Sequence, residues 1–263
     1  MPNPTRRTAP AGATTRRKAR PRGRGRPVTG RIEVGGKEMS RSLLLTRALD
    51  LSREVLLQEI SMAVLAQDLG VAPSLIYYYL TDRDTLVSGV VNLFFQAMGV
   101  RWEPLTGDWQ ADMTAFARAA YDVNCTYVGV AAYLAQHNRF RLFQKVGDGE
   151  TDHGLAYFDR AATILRSGGF TAGQAALAYH LIMQHVVASG GARVRHMLPA
   201  DHQAYLRIRL QATPAEQFPG AHFLADAFPG VSSDLSFETG LELILDGVAR
   251  WLSKSVHRKS KVT

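Results

Sequence analysis

The stretch Leu65–Leu86, LAQDLGVAPSLIYYYLTDRDTL, constrains the fold more than any other part of the chain. Met62, Leu65, Ala66 and Leu69 recur at i, i+3, i+4 and i+7, so a helix capped by Ser61 carries one apolar stripe. Gly70 then supplies the backbone freedom for a tight turn. Pro73 suits the first position of a second, brief helix ending near Tyr79. Thr81-x-x-Asp84 predicts a capping box for a longer helix reaching Met98. Upstream, Ser40 can cap a helix to about Leu51 with Leu44, Leu45, Ala48 and Leu49 on one side. In this layout Val71, Ile76 and Leu80 pack inward, while Ser74, Tyr77 and Tyr78 share an outer face at i, i+3 and i+4.

The pattern stays helical beyond Gly99. Asp108 predicts a helix through about Tyr127, residues 127–136 continue apolar, and Thr151 or Asp152 opens a helix that stops at Gly168-Gly169. Thr171 opens a segment to about Ser189 that is apolar nearly all round, which predicts burial on most sides. Residues 196–232 are punctuated by Pro199, Pro214, Pro219 and Pro229 and show weak periodicity. A last helix carries Leu241, Ile244, Leu245, Val248 and Leu252 on one stripe, with Trp251 beside it. No strand alternation of useful length and no repeat is present. The expectation is an all-α protein: a three-helix helix-turn-helix domain followed by a larger helical bundle. The boundaries expected are a basic tail at 1–38, the helix-turn-helix domain at 39–98, the bundle at 99–254 and a basic C-terminal tail at 255–263.

Charge is segregated. Of 31 Lys and Arg, 11 lie in residues 1–38 against two acids, which leaves 20 basic and 21 acidic groups for the rest, so the net charge of +8 belongs to the tail. A Pro-, Gly- and Arg-rich segment with almost no aliphatic content is expected to lack structure and to bind polyanions. Cys125 is the single cysteine, which excludes an intrachain disulfide and fits a reducing compartment. No apolar segment follows the basic N-terminus, so a secretory signal is not expected, although a transit peptide shares the Arg-rich, acid-poor composition. No run of 18 apolar residues occurs, so no membrane span is expected and the location expected is cytoplasmic.

Reading a DNA sequence requires a short rigid helix able to enter the major groove and a second helix bracing it across the backbone. Leu65–Leu80 has that layout, and phenol hydroxyls on its outer face can donate to phosphate oxygens. On spacing alone, an ordinary helical hairpin with aromatic core residues also fits. Ser61-Met62, Leu65-Ala66, Gly70-Val71, Ile76-Tyr77, Arg83 and Leu86 together resemble the DNA-binding domain of TetR-family repressors, over roughly residues 40–98. Phe237–Gly247, FETGLELILDG, is similar to the closing helix of that family's ligand domain. The resemblance implies phosphate contacts from Tyr77, Tyr79, Ser61 and Arg83, and base-edge contacts from Pro73, Ser74, Leu75 and Tyr78. It departs at Val55-Leu56-Leu57, where a glycine usually ends the first helix, at Ala63 in place of an Arg, and at Leu80 in place of an aromatic. The reading helix has no Arg, Lys, Asn or Gln, the usual bidentate readers of G and A, so direct readout is expected to be modest.

In the tail, Arg22, Arg24 and Arg26 lie in PRGRGRP, which contains Arg-Gly-Arg-Pro and resembles an AT-hook core with Gly23 in place of its first Pro. Such a narrow cationic segment can follow the minor groove of A·T tracts. A generic tail for any polyanion is the other reading.

The resemblance also implies a C-terminal domain that binds a small-molecule effector and dimerises. Asn124, Tyr127, Tyr179, His180, Gln184 and His185 are polar groups in otherwise apolar helices, either ligand contacts or satisfied core and surface residues. His180 and His185 stand about 140° apart around a helix, so that pair alone is not expected to hold a metal. Gly147–His153, GDGETDH, lacks the spacing of a calcium loop and reads as solvated. No nucleophile elbow, phosphate loop or metal-spaced cluster occurs, so no catalytic residue, metal or cofactor is expected and the chain is not read as an enzyme. The partners expected are double-stranded DNA, an effector and a second copy of the chain, docked through 171–189 and 237–254. The function expected is a ligand-responsive regulator that binds a palindromic operator as a dimer and is released by a small molecule. The alternative is an architectural DNA-binding protein dominated by its tail.

Overall fold

The computed structural model describes residues 33–34, 37–136, 144–147 and 149–259, with side chains described as far as Ser253. Its first elements, β1 (Glu33–Val34) and β2 (Lys37–Glu38), form an antiparallel ladder with Glu33 opposite Glu38 and Val34 opposite Lys37. This ladder falls inside the stretch expected to lack structure. The rest of that stretch, with Arg22, Arg24 and Arg26, lies outside the described residues. Every other described element is helical, as the all-α expectation requires. Among the described residues no helix is long and apolar enough to cross a membrane.

In the N-terminal domain, three of the four helices start where a capping side chain dictates. Ser40 accepts from the Leu43 amide and opens α1 (Arg41–Leu51), which buries Leu44, Leu45, Ala48 and Leu49. Ser61 accepts from Val64 and opens α2 (Met62–Leu69). Gly70, left-handed at φ 67°, ends α2, and Pro73 begins α3 (Pro73–Tyr79). Ile76 and Leu80 are fully buried, and Val71 is partly so. α4 (Arg83–Gly99) is capped by Asp82 rather than by Thr81. The Asp82 carboxylate accepts from the Thr85 amide at 2.7 Å, while Thr81 Oγ1 meets only Thr85 Oγ1. An ionised carboxylate beside a helix N-terminus is the better acceptor, and that bond holds Asp82 below the usual carboxylate range. Asp82→Ala should lower the urea midpoint of unfolding more than Thr81→Ala does. Equal losses would contradict this assignment.

The C-terminal bundle holds α5 (Trp109–Thr126), α6 (Val128–Gln136), α7 (His153–Ser167), α8 (Ala172–Val194) and α11 (Ser233–Lys259), the last running past the boundary expected at 254. Asp108, Asp152 and Thr171 cap α5, α7 and α8, the last through a full capping box with Gln174. Where α4, α5 and α7 meet, Tyr157 lies 4.6 Å from Phe116 and 5.2 Å from Phe95 between ring centroids. Its hydroxyl donates to Met183 Sδ at 2.8 Å, and burial pushes the phenol well above its ordinary pKa. α8 is less covered than its all-round apolar pattern predicts. Leu177, Leu181 and Val187 are 47%, 40% and 41% exposed, even though α5, α6, α7 and α11 all contact this helix. Residues 196–232, read as irregular, contain α9 (Gln203–Gln211), α10 (Pro219–Phe223) and two 3-10 turns, Pro199–His202 and Phe228–Gly230. Pro199, Pro219 and Pro229 stand in their first turns, where a missing N–H costs nothing.

Candidate nucleic-acid interface and adjoining cavities

α3 displays an outer face. Pro73 and Ser74 are exposed, Tyr77 and Tyr78 are 55% and 78% exposed, and Leu75 and Tyr79 are half-covered. Tyr78 and Tyr79 meet edge to face at 5.1 Å. Ser61 is half-buried at the start of α2, its hydroxyl engaged as the cap. The helix pair is braced by Arg47, whose guanidinium donates in bidentate fashion to Asp68 at 2.6 and 2.8 Å, tying α1 to α2. That hydrogen bond holds Asp68 below the usual carboxylate range, although so exposed a pair adds little stability.

Arg83 does something the sequence did not indicate. Its guanidinium donates to the carbonyls of Leu57, Gln58 and Ile60 at 3.4, 2.6 and 3.3 Å. It clamps the loop that leads into Ser61. The Val55-Leu56-Leu57 departure also resolves here: α1 ends without glycine because Ser52 takes the C-cap, its hydroxyl donating to Leu49 O at 2.6 Å, and Leu57 is fully buried.

The same loop meets the bundle. Gly129, near the start of α6, donates to Ser52 O at 2.8 Å and accepts from Leu57 N at 3.4 Å. A Cβ at 129 would lie 2.0 Å from Val55 O, so only glycine permits this approach. Beside it, Arg53 donates to the Tyr127 hydroxyl at 3.0 Å and covers its ring at 4.5 Å. On the other side, the Asn92 side chain of α4 donates to Thr151 O at 3.0 Å and accepts from His153 N at 2.8 Å. The acidic loop before α7 is not merely solvated, since Glu150 pairs with Arg41.

Two cavities border α8. One, of about 310 Å³, lies between α7 and α8 and includes Phe158, Phe170 and Tyr179. The other, of about 260 Å³, lies between α5, α6 and α8 and includes Asn124, Val128, Ala132 and Arg195. The six polar residues expected at a ligand site are thus dispersed. Asn124, 7% exposed, lines the second cavity with its amide donating to Ala120 O at 2.8 Å. Tyr179 lines the first, its phenol pushed up to about 12 by burial and hence a neutral donor. Tyr127 belongs to the seam with Arg53. His180 and Gln184 are exposed on α8. His185 Nε2 lies 2.9 Å from Phe237 O, and its ring is parallel to that of Phe237 at 5.5 Å. No group of three or more metal-ligating side chains occurs among the described residues.

The fold is similar to that of apo ActR from Streptomyces coelicolor, at 24% identity and TM-score 0.68, over 82% of this chain and 98% of that one. ActR in complex with actinorhodin aligns at TM-score 0.64 and 24% identity, over 80% and 95% of the two chains. A possible TetR family transcriptional regulator from Streptomyces coelicolor A3(2) aligns at 23% identity and TM-score 0.62, over 80% and 99%. No curated protein matches the sequence. Residues 103–252 match the model of the tetracyclin repressor-like C-terminal domain, more than half of the chain, and the protein therefore belongs to the TetR family.

Proposed function

We propose that the chain is a ligand-responsive transcriptional repressor that holds a palindromic operator as a homodimer and leaves it when a small molecule binds. The observation that carries this reading is the pairing of the outward face of α3 with a cavity-bearing bundle bolted to the same loop through Gly129. α3 would enter the major groove with Pro73, Ser74, Leu75 and Tyr78 toward base edges, and with Tyr77 and Tyr79 toward phosphate and sugar. The exposed apolar faces of α8 and α11, with Leu177, Leu181, Leu243 and Trp251, are surfaces that a second copy would cover. Two-fold pairing through them would set half-sites about one helical turn apart. ActR, which has been solved with actinorhodin, supports the small-molecule step. An architectural protein without a ligand has no use for two open apolar cavities, which favours the regulator.

Selection of bound fragments from a random DNA pool tests this. The full chain should enrich an inverted repeat flanked by A·T-rich steps, and a chain lacking residues 1–38 should enrich the repeat without the flanks. No enriched motif would favour the architectural reading. Because Arg22, Arg24, Arg26 and their neighbours would neutralise phosphates, the same truncation should flatten the slope of log K against log salt by several units. An unchanged slope would remove the tail from the interface.

A further inference from the structure

We infer that Arg83 is a positioning residue for operator recognition. Its guanidinium fixes where α2 begins, so preference for the operator depends on the hydrogen-bonding fork of this side chain and not on its charge. The inference rests on the repressor reading above and gives Arg83 no contact with DNA.

The bracing helix α2 is set from both ends. Near its C-terminus, Asp68 takes two hydrogen bonds from Arg47 of α1, at 2.6 and 2.8 Å. At its N-terminus the chain arrives through residues 53–60, a run of turns and bends between α1 and Ser61. Three carbonyls of that run are met by one side chain in the first turn of α4. Arg83 Nη1 donates to Ile60 O at 3.3 Å, and Nη2 donates to Leu57 O and Gln58 O at 3.4 and 2.6 Å. Ile60 directly precedes Ser61, the cap whose hydroxyl accepts from Val64. The side chains of Leu57 and Ile60 are fully buried. Their burial holds the inner edge of the loop, and the guanidinium holds its carbonyl edge.

Three of the five guanidinium N–H groups are thus spent on protein carbonyls. A planar fork can hold acceptors that lie residues apart, whereas an ammonium is a single point donor. α3 follows α2 across the short turn Gly70–Ala72, so a shift at the start of α2 tilts the reading helix in the groove. Contacts to base edges depend on that tilt, while attraction to phosphates is shared by every sequence. Loss of Arg83 should therefore be felt on the operator and not on DNA at large.

The test is binding of the full chain, by fluorescence anisotropy across a salt series, to the inverted repeat that it enriches and to a scrambled duplex of equal length. Arg83→Ala should weaken binding to the repeat by about tenfold, as the loss of well-aligned base contacts allows. It should hardly change binding to the scrambled duplex, and it should leave the slope of log K against log salt where it was. Arg83→Lys keeps the charge and should retain most of the loss on the repeat. A phosphate contact behaves otherwise: both duplexes weaken alike, the slope falls by about one, and lysine restores binding. That pattern, or full affinity for the repeat in Arg83→Lys, overturns the inference. So does unchanged affinity for the repeat in Arg83→Ala, even with a lowered melting temperature, since a residue that only stabilises the fold leaves binding by the folded protein unaltered. Amide exchange of the free chain adds a readout without DNA. Residues 57–63 should exchange faster in Arg83→Ala while α1 does not, and unchanged exchange there also overturns the inference. If the unaltered chain discriminates between the duplexes and Arg83→Ala does so equally, only the role of Arg83 is wrong. If the unaltered chain prefers neither duplex, the repressor reading fails and this inference falls with it.

Discussion

Gly129→Ala should destabilise the folded chain by about 2–4 kcal/mol, from overpacking plus a weakened backbone hydrogen bond. The added methyl would sit 2.0 Å from Val55 O and 3.0 Å from Ser52 O, both backbone atoms with no rotamer to give way. Either the 52–57 loop or the first turn of α6 must retreat, and the 2.8 Å bond from Gly129 N to Ser52 O lengthens in both cases. Thermal unfolding should fall by roughly 5–10 °C for a chain of this size. Gly173→Ala is the control: a Cβ there meets nothing within 4 Å, and alanine favours the helix. Equal melting temperatures for the two variants would show that the seam yields freely. The same substitution should also loosen the link between cavity and DNA. Effector binding in Gly129→Ala should persist while its effect on operator affinity shrinks.

Much of the scaffold was legible because it is locally encoded. Ser40, Ser61, Asp108, Asp152 and Thr171 each cap the helix that their sequence context announces, since the capping bond spans two or three residues. Thr81 and Asp82 are adjacent candidates, and the entry of the backbone into α4 chose between them, which no spacing rule encodes. The inward set Ile76 and Leu80 and the outward set Ser74, Tyr77 and Tyr78 follow directly from helical period.

The seam and the cavity were not legible, because both are made between distant segments by residues that carry no chemical signal. Gly129 reads as one more small residue until Val55 O is seen against it. Arg83 reads, by the resemblance, as a phosphate contact, and nothing in the sequence announces the three carbonyls to which its guanidinium donates. The cavity bordering α6 is walled largely by alanine and valine, so polarity within apolar helices points to Asn124 and to none of these apolar walls. The same criterion takes in His180, Gln184 and His185 of α8, of which His180 and Gln184 share one exposed face and His185 lies on another. α11 covers only His185.

Phe237→Ala should cause the largest loss of any single core truncation in the bundle, about 3–5 kcal/mol. Phe237 is 2% exposed and lies between two rings. Tyr121 of α5 stacks on one face at 3.8 Å and 7°, and His185 of α8 is parallel on the other at 5.5 Å and 3°. Its own carbonyl also meets His185 Nε2 at 2.9 Å, so one residue of α11 joins three helices. Removing the ring leaves a void bounded by two flat surfaces that cannot collapse onto each other without moving α11, and such sites relax little. The expected readout is a large drop in the urea midpoint. Leu243→Ala on the same helix separates this inner role from the outer one. Leu243 is 63% exposed, so its truncation should scarcely change unfolding of the isolated chain but should weaken self-association if a second copy covers that face. A Phe237→Ala loss below about 1 kcal/mol would mean that α11 is held by its other contacts, Leu241, Leu245 and Val248, and that the stacked rings add little to them.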